Sequence, residues 1–150
     1  KEDVFGSIFL AEAEGLRNFL YYKTGNLPQA EDLVQEAFGK LWENCSKVEQ
    51  SKAKSYLFTV ANNLFLNQVA HQKVVFHLTP QFLLEEEEFR KRLEEAIAAL
   101  PEDQRIVFLM NRMDKKTYRE IAERLDLSVK TIEKRMHKAL QALRKVSKKV

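Results

Sequence analysis

Glycine and proline are scarce in this sequence, with 4 glycines and 3 prolines among 150 residues. Leu, Ala, Glu, Lys and Arg are common instead, and these residues favour helices. The composition therefore predicts an all-α protein. The length allows either one ordinary domain or two small ones, so the number of domains has to come from other patterns.

Cysteine and long apolar runs are also nearly absent. Cys45 is the one cysteine, so no internal disulfide is possible, and no set of histidines and cysteines has metal-ligand spacing. No apolar run approaches the roughly 20 residues that cross a bilayer, and the N-terminus lacks a basic segment followed by an apolar block. We therefore expect a cytoplasmic protein with no membrane insertion, no metal and no cofactor.

Motifs for catalysis are missing as well. The three histidines, His71, His77 and His137, are scattered along the chain. The sequence has neither a glycine-rich phosphate loop nor a nucleophile motif, and its glutamates fall on helix faces that water would cover. These observations argue against an enzyme and for a protein that acts by binding.

The net charge divides the chain into unlike halves. Residues 1–103 carry 11 Lys and Arg against 17 Asp and Glu, a net charge of −6, whereas residues 104–150 carry 14 against 5, a net charge of +9. A basic C-terminal module joined to a differently employed N-terminal part is typical of nucleic-acid-binding proteins. A solvated basic tail would give the same count, so charge alone does not decide.

Helical periodicity runs through the N-terminal half. Apolar residues recur at helical spacing over residues 3–22, which predicts one or two helices. The segment "TGNLPQAED" breaks the pattern, and Pro28 begins an amphipathic helix over residues 28–44. After a polar loop, a third helix is predicted over residues 53–72. Most of its circumference is apolar, as in a buried helix of a small bundle.

The third helix also carries a polar cluster that includes Asn62, Asn63 and Asn67. Asparagine is a poor residue for the interior of a helix, because its side chain competes for backbone hydrogen bonds. Either a buried hydrogen-bond network or an exposed recognition face would explain the repetition, and the sequence leaves both open.

A segment without a sustained helical period separates the two halves. In "KVVFHLTPQFLL", Pro80 interrupts the pattern. The chain is therefore predicted to form two small helical domains, over residues 1–73 and 85–150, joined by a linker over residues 74–84. The second domain begins with a helix that ends at Pro101, where another helix starts.

The last two predicted helices have a helix-turn-helix pattern. In "YREIAERLDLSVKTIEKRMHKALQALRK", a first apolar stripe ends at a turn formed by Asp126 and Leu127, and Ser128 stands at the N-cap of the next helix. The small residue Ala122 lets the second helix cross closely. In such units the second helix lies in the major groove of DNA. A plain antiparallel helix pair with a basic surface is the alternative.

The outward face of the second helix predicts how DNA would be read. If Ile132 and Met136 point inward, Lys, Thr and Glu side chains face outward and can pair with base edges. Other basic residues are better placed to contact phosphates, which position a protein without specifying sequence. The predicted base-reading residues are Lys130, Thr131, Glu133, Lys134, Arg135, His137 and Lys138, and the predicted backbone contacts are Lys115, Lys116, Arg119, Arg144 and Lys145.

Two blocks of the sequence resemble parts of one family. The block "LPEDQRIVFLMNRMDKKTYREIAERLDLSVKTIEKRMHKALQALRK" resembles region 4 of bacterial sigma-70-type factors, and "GNLPQAEDLVQEAFGKLWEN" with "AKSYLFTVANNLFLNQVAHQK" resembles region 2. With these regions, a short linker and no region 3, the chain resembles the extracytoplasmic-function subgroup. Asp126 stands where the turn usually has glycine, and Asn67 and His71 stand where acidic and basic residues are often seen.

The resemblance implies a function for each half. The chain is expected to bind core RNA polymerase, recognise the −35 and −10 elements of promoters and promote DNA melting. In the family, region 4 reads the −35 element as duplex, and the helix carrying "DLVQEAFGKLW" docks on the clamp helices of the largest polymerase subunit. Phe38 and Trp42 of that helix could equally be core residues. The polymerase-binding residues implied by position are Asp32, Gln35, Glu36, Phe38 and Trp42.

Region 2 of the family also captures a flipped base from the non-template strand of the −10 element. Asparagine suits this task, because an unstacked base exposes donor and acceptor edges that an amide can pair. Family members are commonly held by an anti-sigma factor, which is a further expected partner. The residues implied for −10 recognition are Lys54, near the DNA backbone, and Asn62, Asn63, Asn67 and His71.

Two other classes of binding protein stay open at this point. A dimeric repressor or activator would explain residues 104–150 but would leave the asparagine-rich helix and the Trp42 helix unused. A pure protein-interaction bundle would make the charge of the basic half incidental.

Overall fold

The computed structural model describes residues 2–68 and 87–146, and every regular element in those ranges is helical. The predicted all-α fold class is confirmed. The predicted linker over residues 74–84 and His71 lie outside the described residues. None of the described helices is long and apolar enough to cross a bilayer. The elements are α1 (Glu2–Thr24), α2 (Leu27–Asn44), a short 3-10 helix (Gln50–Lys52), α3 (Ala53–Gln68), α4 (Glu87–Ala99), α5 (Glu102–Arg112), α6 (Tyr118–Leu125) and α7 (Val129–Arg144).

The three N-terminal helices form a small bundle. α1 packs against α2 and α3, and α2 packs against α3. Helical spacing brings Leu16, Leu20 and Leu33 into its centre, where all three are fully buried. Phe19 and Phe58 join α1 to α3, with ring centroids 5.1 Å apart. Of the one or two helices predicted at the start of the chain, the structure has one.

The break between α1 and α2 has the turn chemistry expected from the sequence. Gly25 has a φ of 68°, a left-handed conformation that glycine adopts without steric cost. The side chain of Asn26 then accepts a hydrogen bond of 3.0 Å from the backbone N–H of Gln29, and Pro28 stands in the first turn. α2 therefore begins at Leu27, one residue before the predicted start.

The four C-terminal helices have a core of their own. α7 packs along α5 and α6 and also touches α4. Ile132 and Met136 lie four residues apart on one face of α7, and both are at most 1% exposed. Ile97 of α4 and Met110 of α5 complete this core. The inward face of α7 is the one that the sequence predicts.

The two halves pack against each other, an arrangement that the sequence did not predict. α1 contacts α5, and α3 contacts α6. Glu12 of α1 accepts two hydrogen bonds from the guanidinium of Arg124 in α6, at 3.0 and 3.1 Å. Side chains that lie far apart in the chain thus join the N-terminal bundle α1–α3 to the C-terminal helices α4–α7.

Candidate nucleic-acid interface

Helix α6 begins with a capping box. The hydroxyl of Thr117 accepts a hydrogen bond of 3.1 Å from the backbone N–H of Glu120, whose carboxylate accepts one of 3.0 Å from the N–H of Thr117. Thr117 lowers the pKa of the Glu120 carboxyl, first through its backbone N–H and then through its side chain. Two otherwise unpaired donors of the first turn are satisfied, so the start of α6 is fixed.

The turn between α6 and α7 depends on Asp126. This residue is left-handed, with φ of 56° and ψ of 49°, at the position where glycine is the common choice. The N–H of Leu127 then donates a hydrogen bond of 2.9 Å to the carbonyl of Ala122. Asp tolerates this conformation better than most residues, so the departure from glycine keeps the geometry of the turn.

Helix α7 begins at a serine cap, as the sequence predicts. The hydroxyl of Ser128 accepts a hydrogen bond of 3.1 Å from the N–H of Thr131 and lies 2.8 Å from the hydroxyl of Thr131. The cap therefore fixes both the start of α7 and the side chain of Thr131, one of the predicted base-reading residues.

The outer face of α7 is available to a partner. Five of the seven predicted base-reading side chains are exposed, and Thr131 is half-buried. Arg135 is also half-buried, and its Nε lies 3.6 Å from a carboxylate oxygen of Asp103 in α5. This contact holds Arg135 at the flank of the face. The exposed five are Lys130, Glu133, Lys134, His137 and Lys138.

The predicted phosphate-contacting residues lie at the two ends of the helix-turn-helix unit. Lys115 is left-handed, with φ of 57°, and is exposed, whereas Lys116 is half-buried. The side-chain amide of Asn111 donates 2.9 Å to the carbonyl of Lys116 and so ties this loop to α5. No motif in the sequence marks Asn111 for this role. Arg119, Arg144 and Lys145 are all exposed.

The predicted −10 residues on α3 have unequal surroundings. Asn63 is exposed, whereas Asn62 is half-buried, and its amide oxygen is buried with no hydrogen-bond partner among the described residues. Lys54 pairs with Glu123 of α6 at 3.1 Å. The side chain of Asn67, like all of His71, lies outside what the structure describes. Helix α6 therefore partly covers the α3 residues that the sequence predicts to recognise the −10 element.

A cavity of about 270 Å³ lies between the two halves. Thr59 and Asn62 of α3 line one side of it, and Arg124, Leu127 and Arg135 line another. Asn62, a predicted −10 residue, and Arg135, a predicted −35 residue, therefore line the same cavity. Within the described ranges, no group of three or more His, Cys, Asp or Glu side chains could hold a metal ion.

The predicted polymerase-binding face of α2 is mostly exposed. Asp32, Gln35 and Glu36 are exposed, and Trp42 is 39% exposed. Phe38 is only 4% exposed, because it lies in the core between α1 and α2. Its ring contacts two α1 side chains, at centroid distances of 6.0 Å to Phe5 and 4.9 Å to Phe9. Phe38 therefore supports the helix from beneath and is not available to a partner here.

Family comparisons match both halves of the chain. The model described as sigma-70 region 2 matches residues 8–74, and the model described as sigma-70, region 4 matches residues 90–143. The chain belongs to the sigma-70 family. Members of this family are transcription initiation factors and not enzymes. The two matches follow each other in the order that the sequence predicted.

Two curated proteins similar to this chain are named as sigma factors of the extracytoplasmic-function subgroup. SigW of Bacillus subtilis is 25% identical over 166 residues, which cover 96% of this chain and 89% of that protein. RpoE of Cereibacter sphaeroides is 27% identical over 158 residues, covering 95% and 86%. Together with the region 2 and region 4 matches, these relatives place the chain in the extracytoplasmic-function subgroup.

A solved sigma factor shares the fold. The structure of the sigma factor RpoE in complex with the anti-sigma factor NepR from Bartonella quintana matches with a TM-score of 0.66 and 23% identity. The match covers 96% of each chain. At this identity the likeness establishes the arrangement of the sigma-factor helices and nothing about residue roles.

Proposed function

We propose that this chain is the promoter-specificity subunit of an RNA polymerase. It binds the core enzyme through α2, reads the −35 element with α7 and captures the melted −10 strand with α3. The observation that carries the proposal is the pairing, in one chain, of region 2 and region 4 matches with an exposed polar face on α7. A helix-turn-helix regulator alone would not need the N-terminal half.

The −35 element is read as duplex by side chains of α7. Lysine donates to the acceptors of guanine, and glutamate accepts from cytosine. Lys134 and Lys138 lie one turn apart on the exposed face, with Glu133 beside them. The basic residues at both ends of the unit hold the phosphates and set its register on the groove. Specificity then comes from few side chains and affinity from many.

The −10 element is recognised as a single strand on α3. Asn63 is exposed and presents both a donor and an acceptor to the edge of an unstacked base. Capture offsets an unpairing cost of about a few kcal/mol, which is lowest at flexible pyrimidine-purine steps such as TA. Binding energy on one strand thereby favours the melted promoter.

Core polymerase binds the acidic and amide face of α2. Asp32, Gln35 and Glu36 are exposed on one side of this helix, and Trp42 adds a half-covered aromatic ring at its C-terminal end. Buried aromatic anchors with polar surroundings are typical of protein interfaces. The Trp42 ring packs edge-on against Phe5, with centroids 5.0 Å apart, so it is held ready for a partner.

An anti-sigma factor is the further partner that we propose. The solved relative that shares this fold is bound to one, and the subgroup resemblance implies the same kind of control. The protein is proposed to act in the bacterial cytoplasm, where its polymerase and promoters are.

Reconstituted transcription tests the proposed function. Core polymerase from the native host is incubated with and without the chain on a genomic DNA library, and bound, open promoters are selected and sequenced. We expect a shared pair of elements in the selected DNA and open complexes that depend on the chain. Equal open-complex formation with and without the chain would overturn the proposal.

The same reagents distinguish a repressor. If the chain binds a specific duplex tightly in the absence of polymerase and opens none in its presence, it is a helix-turn-helix regulator instead.

A pair of matched variants tests core binding by α2. Trp42→Ala should weaken binding to core polymerase. Leu10→Ala, which changes an apolar residue 85% exposed on α1, should leave core binding unchanged.

A further inference from the structure

We propose that Ser128 fixes the hydroxyl of Thr131 as a hydrogen-bond acceptor toward DNA, so that Thr131 reads an amino group, on adenine or cytosine, at one position of the −35 element. The inference rests on the proposed function and narrows it, because a threonine hydroxyl by itself can donate to a base or accept from one. Thr131 is the residue that touches the base, and Ser128 acts through it as a positioning residue.

Two contacts join the side chain of Ser128 to Thr131, the third residue of α7. The Oγ atom of Ser128 accepts a hydrogen bond of 3.1 Å from the backbone N–H of Thr131, and it lies 2.8 Å from the Oγ1 atom of Thr131. Within residues 2–68 and 87–146, the Oγ1 atom of Thr131 has no other hydrogen-bond partner. The bond to Ser128 therefore sets what this hydroxyl can still offer to DNA.

The same contact selects one rotamer of Thr131. A threonine within a helix divides between two χ1 rotamers, because its hydroxyl can turn back to a carbonyl of the preceding turn. The hydroxyl of Thr131 instead reaches the Oγ atom of Ser128, at a distance typical of an O–H···O hydrogen bond. The side chain is thus ordered before DNA arrives, and this preorganisation lowers the entropy cost of binding.

The direction of the hydroxyl–hydroxyl bond decides which bases Thr131 can read. The Oγ atom of Ser128 already accepts the backbone N–H of Thr131, so the hydroxyl of the same residue approaches it from the same side. An oxygen accepts hydrogen bonds over a broad range of directions, whereas a donor has to point along its own bond. The Ser128 oxygen therefore accepts both donors, and Thr131 is the donor of the hydroxyl–hydroxyl bond.

The remaining capacity of the Thr131 hydroxyl is acceptance. A hydroxyl has one proton and two lone pairs, and the proton of Thr131 is engaged with Ser128. In the major groove, adenine and cytosine present amino groups that donate, whereas guanine and thymine present only acceptors. Thr131 should therefore favour A or C over G or T on the strand that it contacts.

The place of Thr131 on α7 suits contact with a base edge. In helix-turn-helix proteins, the N-terminal residues of the second helix are those that reach base edges. The next residue, Ile132, is fully buried and anchors this end of α7. Thr131 is half-buried, and Lys134, three residues on and on the same side of the helix, is exposed. A short side chain held in this position can reach one base and no more.

The test compares five forms of the full chain, each assembled with core polymerase. Thr131→Val keeps the shape of the side chain and removes the hydroxyl, whereas Thr131→Ser keeps the hydroxyl. Ser128→Ala removes the partner of that hydroxyl. Ser128→Asp keeps an N-cap and supplies oxygens that only accept, so Thr131 still has to donate to it. The fifth form is the wild type.

The measurement is competition binding of each holoenzyme to a selected promoter and to all single-base variants of its −35 element. The wild type, Thr131→Ser and Ser128→Asp should favour A or C over G or T at one position by about three- to tenfold, as expected for one hydrogen bond. Thr131→Val should lose this preference, and Ser128→Ala should weaken it. The charge of Ser128→Asp weakens binding to every sequence, so the ratio between bases is the quantity compared.

Three results of this measurement would overturn the proposal. The first is a Thr131-dependent position at which G or T is favoured, and the second is the absence of any Thr131-dependent position. The third is a Ser128→Ala chain that binds all sequences more weakly by the same factor, because Ser128 would then be a helix cap only.

A measurement without DNA tests the positioning itself. Three-bond NMR couplings to the methyl carbon of Thr131 report its χ1 rotamer in the free chain. We expect one rotamer in the wild type and in Ser128→Asp, and an average of rotamers in Ser128→Ala. Circular dichroism verifies that the helices are kept, and Ser128→Gly, a milder loss of the cap, replaces Ser128→Ala if they are not. An averaged rotamer in the wild type would overturn the role of Ser128.

The inference and the proposed function can fail separately. A wild-type holoenzyme that opens promoters but has no Thr131-dependent position overturns the inference alone. A chain that supports no open complexes overturns the proposed function, and the methyl couplings then still decide whether Ser128 orders Thr131.

Discussion

Helices α7 and α3 both carry polar side chains assigned to DNA, and they present them differently. On α7, five of the predicted residues are exposed, and those at its flank are held by contacts within the same half. On α3, Lys54 is paired with the other half and Asn62 faces the cavity between the halves. The proposed duplex-reading surface is therefore complete within its own domain, whereas exposure of the proposed strand-capturing surface depends on where the neighbouring domain lies.

The difference follows from the range of the interactions involved. A helix-turn-helix face is set by caps and periodicity within about thirty residues, so it survives any movement of the rest of the chain. The α3 surface is partly covered by α6, which is also joined to α1 by the Glu12–Arg124 pair, whose members are 112 positions apart.

The largest expected effect is on the core beneath the α7 face. Ile132→Ala removes a fully buried side chain and leaves a cavity, so it should lower the free energy of unfolding by about 2–5 kcal/mol. Urea denaturation followed by circular dichroism measures this. Val129→Ala, on the exposed side of α7, should change stability by less than about 0.5 kcal/mol. Equal effects would mean that α7 is not anchored by its own half.

The next effect separates base reading from phosphate contact on α7. Lys134→Ala should weaken promoter use and relax preference at one −35 position by about 1–3 kcal/mol. Arg144→Ala, near the end of the same helix, should weaken binding to all sequences alike and make its salt dependence shallower. Competition binding with holoenzyme against single-base variants measures both. A uniform loss for Lys134→Ala would make it a phosphate contact.

A smaller effect concerns the turn that orients α7. Asp126 is left-handed, and glycine adopts that conformation with less strain. Asp126→Gly should therefore stabilise the folded chain by roughly 0.5–1 kcal/mol, whereas Asp126→Ala should destabilise it. The midpoints of urea unfolding decide between these signs. If Asp126→Gly did not raise the urea midpoint, the side chain of Asp126 would have to stabilise the fold through contacts of its own.

The smallest expected effect appears only as a change with pH, at the contact between the halves. Burial raises the pKa of Asp114, against the opposing hydrogen bonds from Tyr22 and Asn18. The folded chain therefore holds this proton more tightly than the unfolded chain. The stabilisation is fully present below the ordinary pKa of Asp and is lost as the pH rises through the raised value.

Asp114→Asn isolates this contribution, because the amide cannot ionise and keeps an oxygen that accepts from Tyr22. Stability measured by urea unfolding should fall for the wild type relative to the variant between acidic and neutral pH. A difference that does not change over this range would show that Asp114 is not the responsible group.

How far the sequence predicts this molecule depends on the range of each feature. The capped start of α7 and its inward face follow from local rules, and the structure has them at the expected residues, Ser128, Ile132 and Met136. The roles in −35, −10 and phosphate contact and in polymerase binding stay predictions. What the sequence did not reveal is that Arg124, one of several charged residues in α6, is only 6% exposed. Periodicity does not tell which charge finds a partner in the other half.

Phe38 shows the same limit of sequence-based prediction within one helix. It lies on the stripe beside the apolar face of α2, where either a core or a partner would explain an aromatic residue. The neighbouring Phe5 and Phe9 of α1 decide for the core. Nothing in the α2 sequence contains that information, because the deciding rings belong to another helix.

The contact between Lys54 and Glu123 has a consequence for counterions. A lysine that neutralises a DNA phosphate releases cations condensed on the DNA, and this release makes the affinity depend on salt. Lys54 instead carries an anion that belongs to its own chain, at 3.1 Å and half-open to solvent. When a phosphate takes the place of the Glu123 carboxylate, one fixed anion replaces another. Capture of the −10 strand by this lysine should therefore be less sensitive to ionic strength than the phosphate contacts of the C-terminal half.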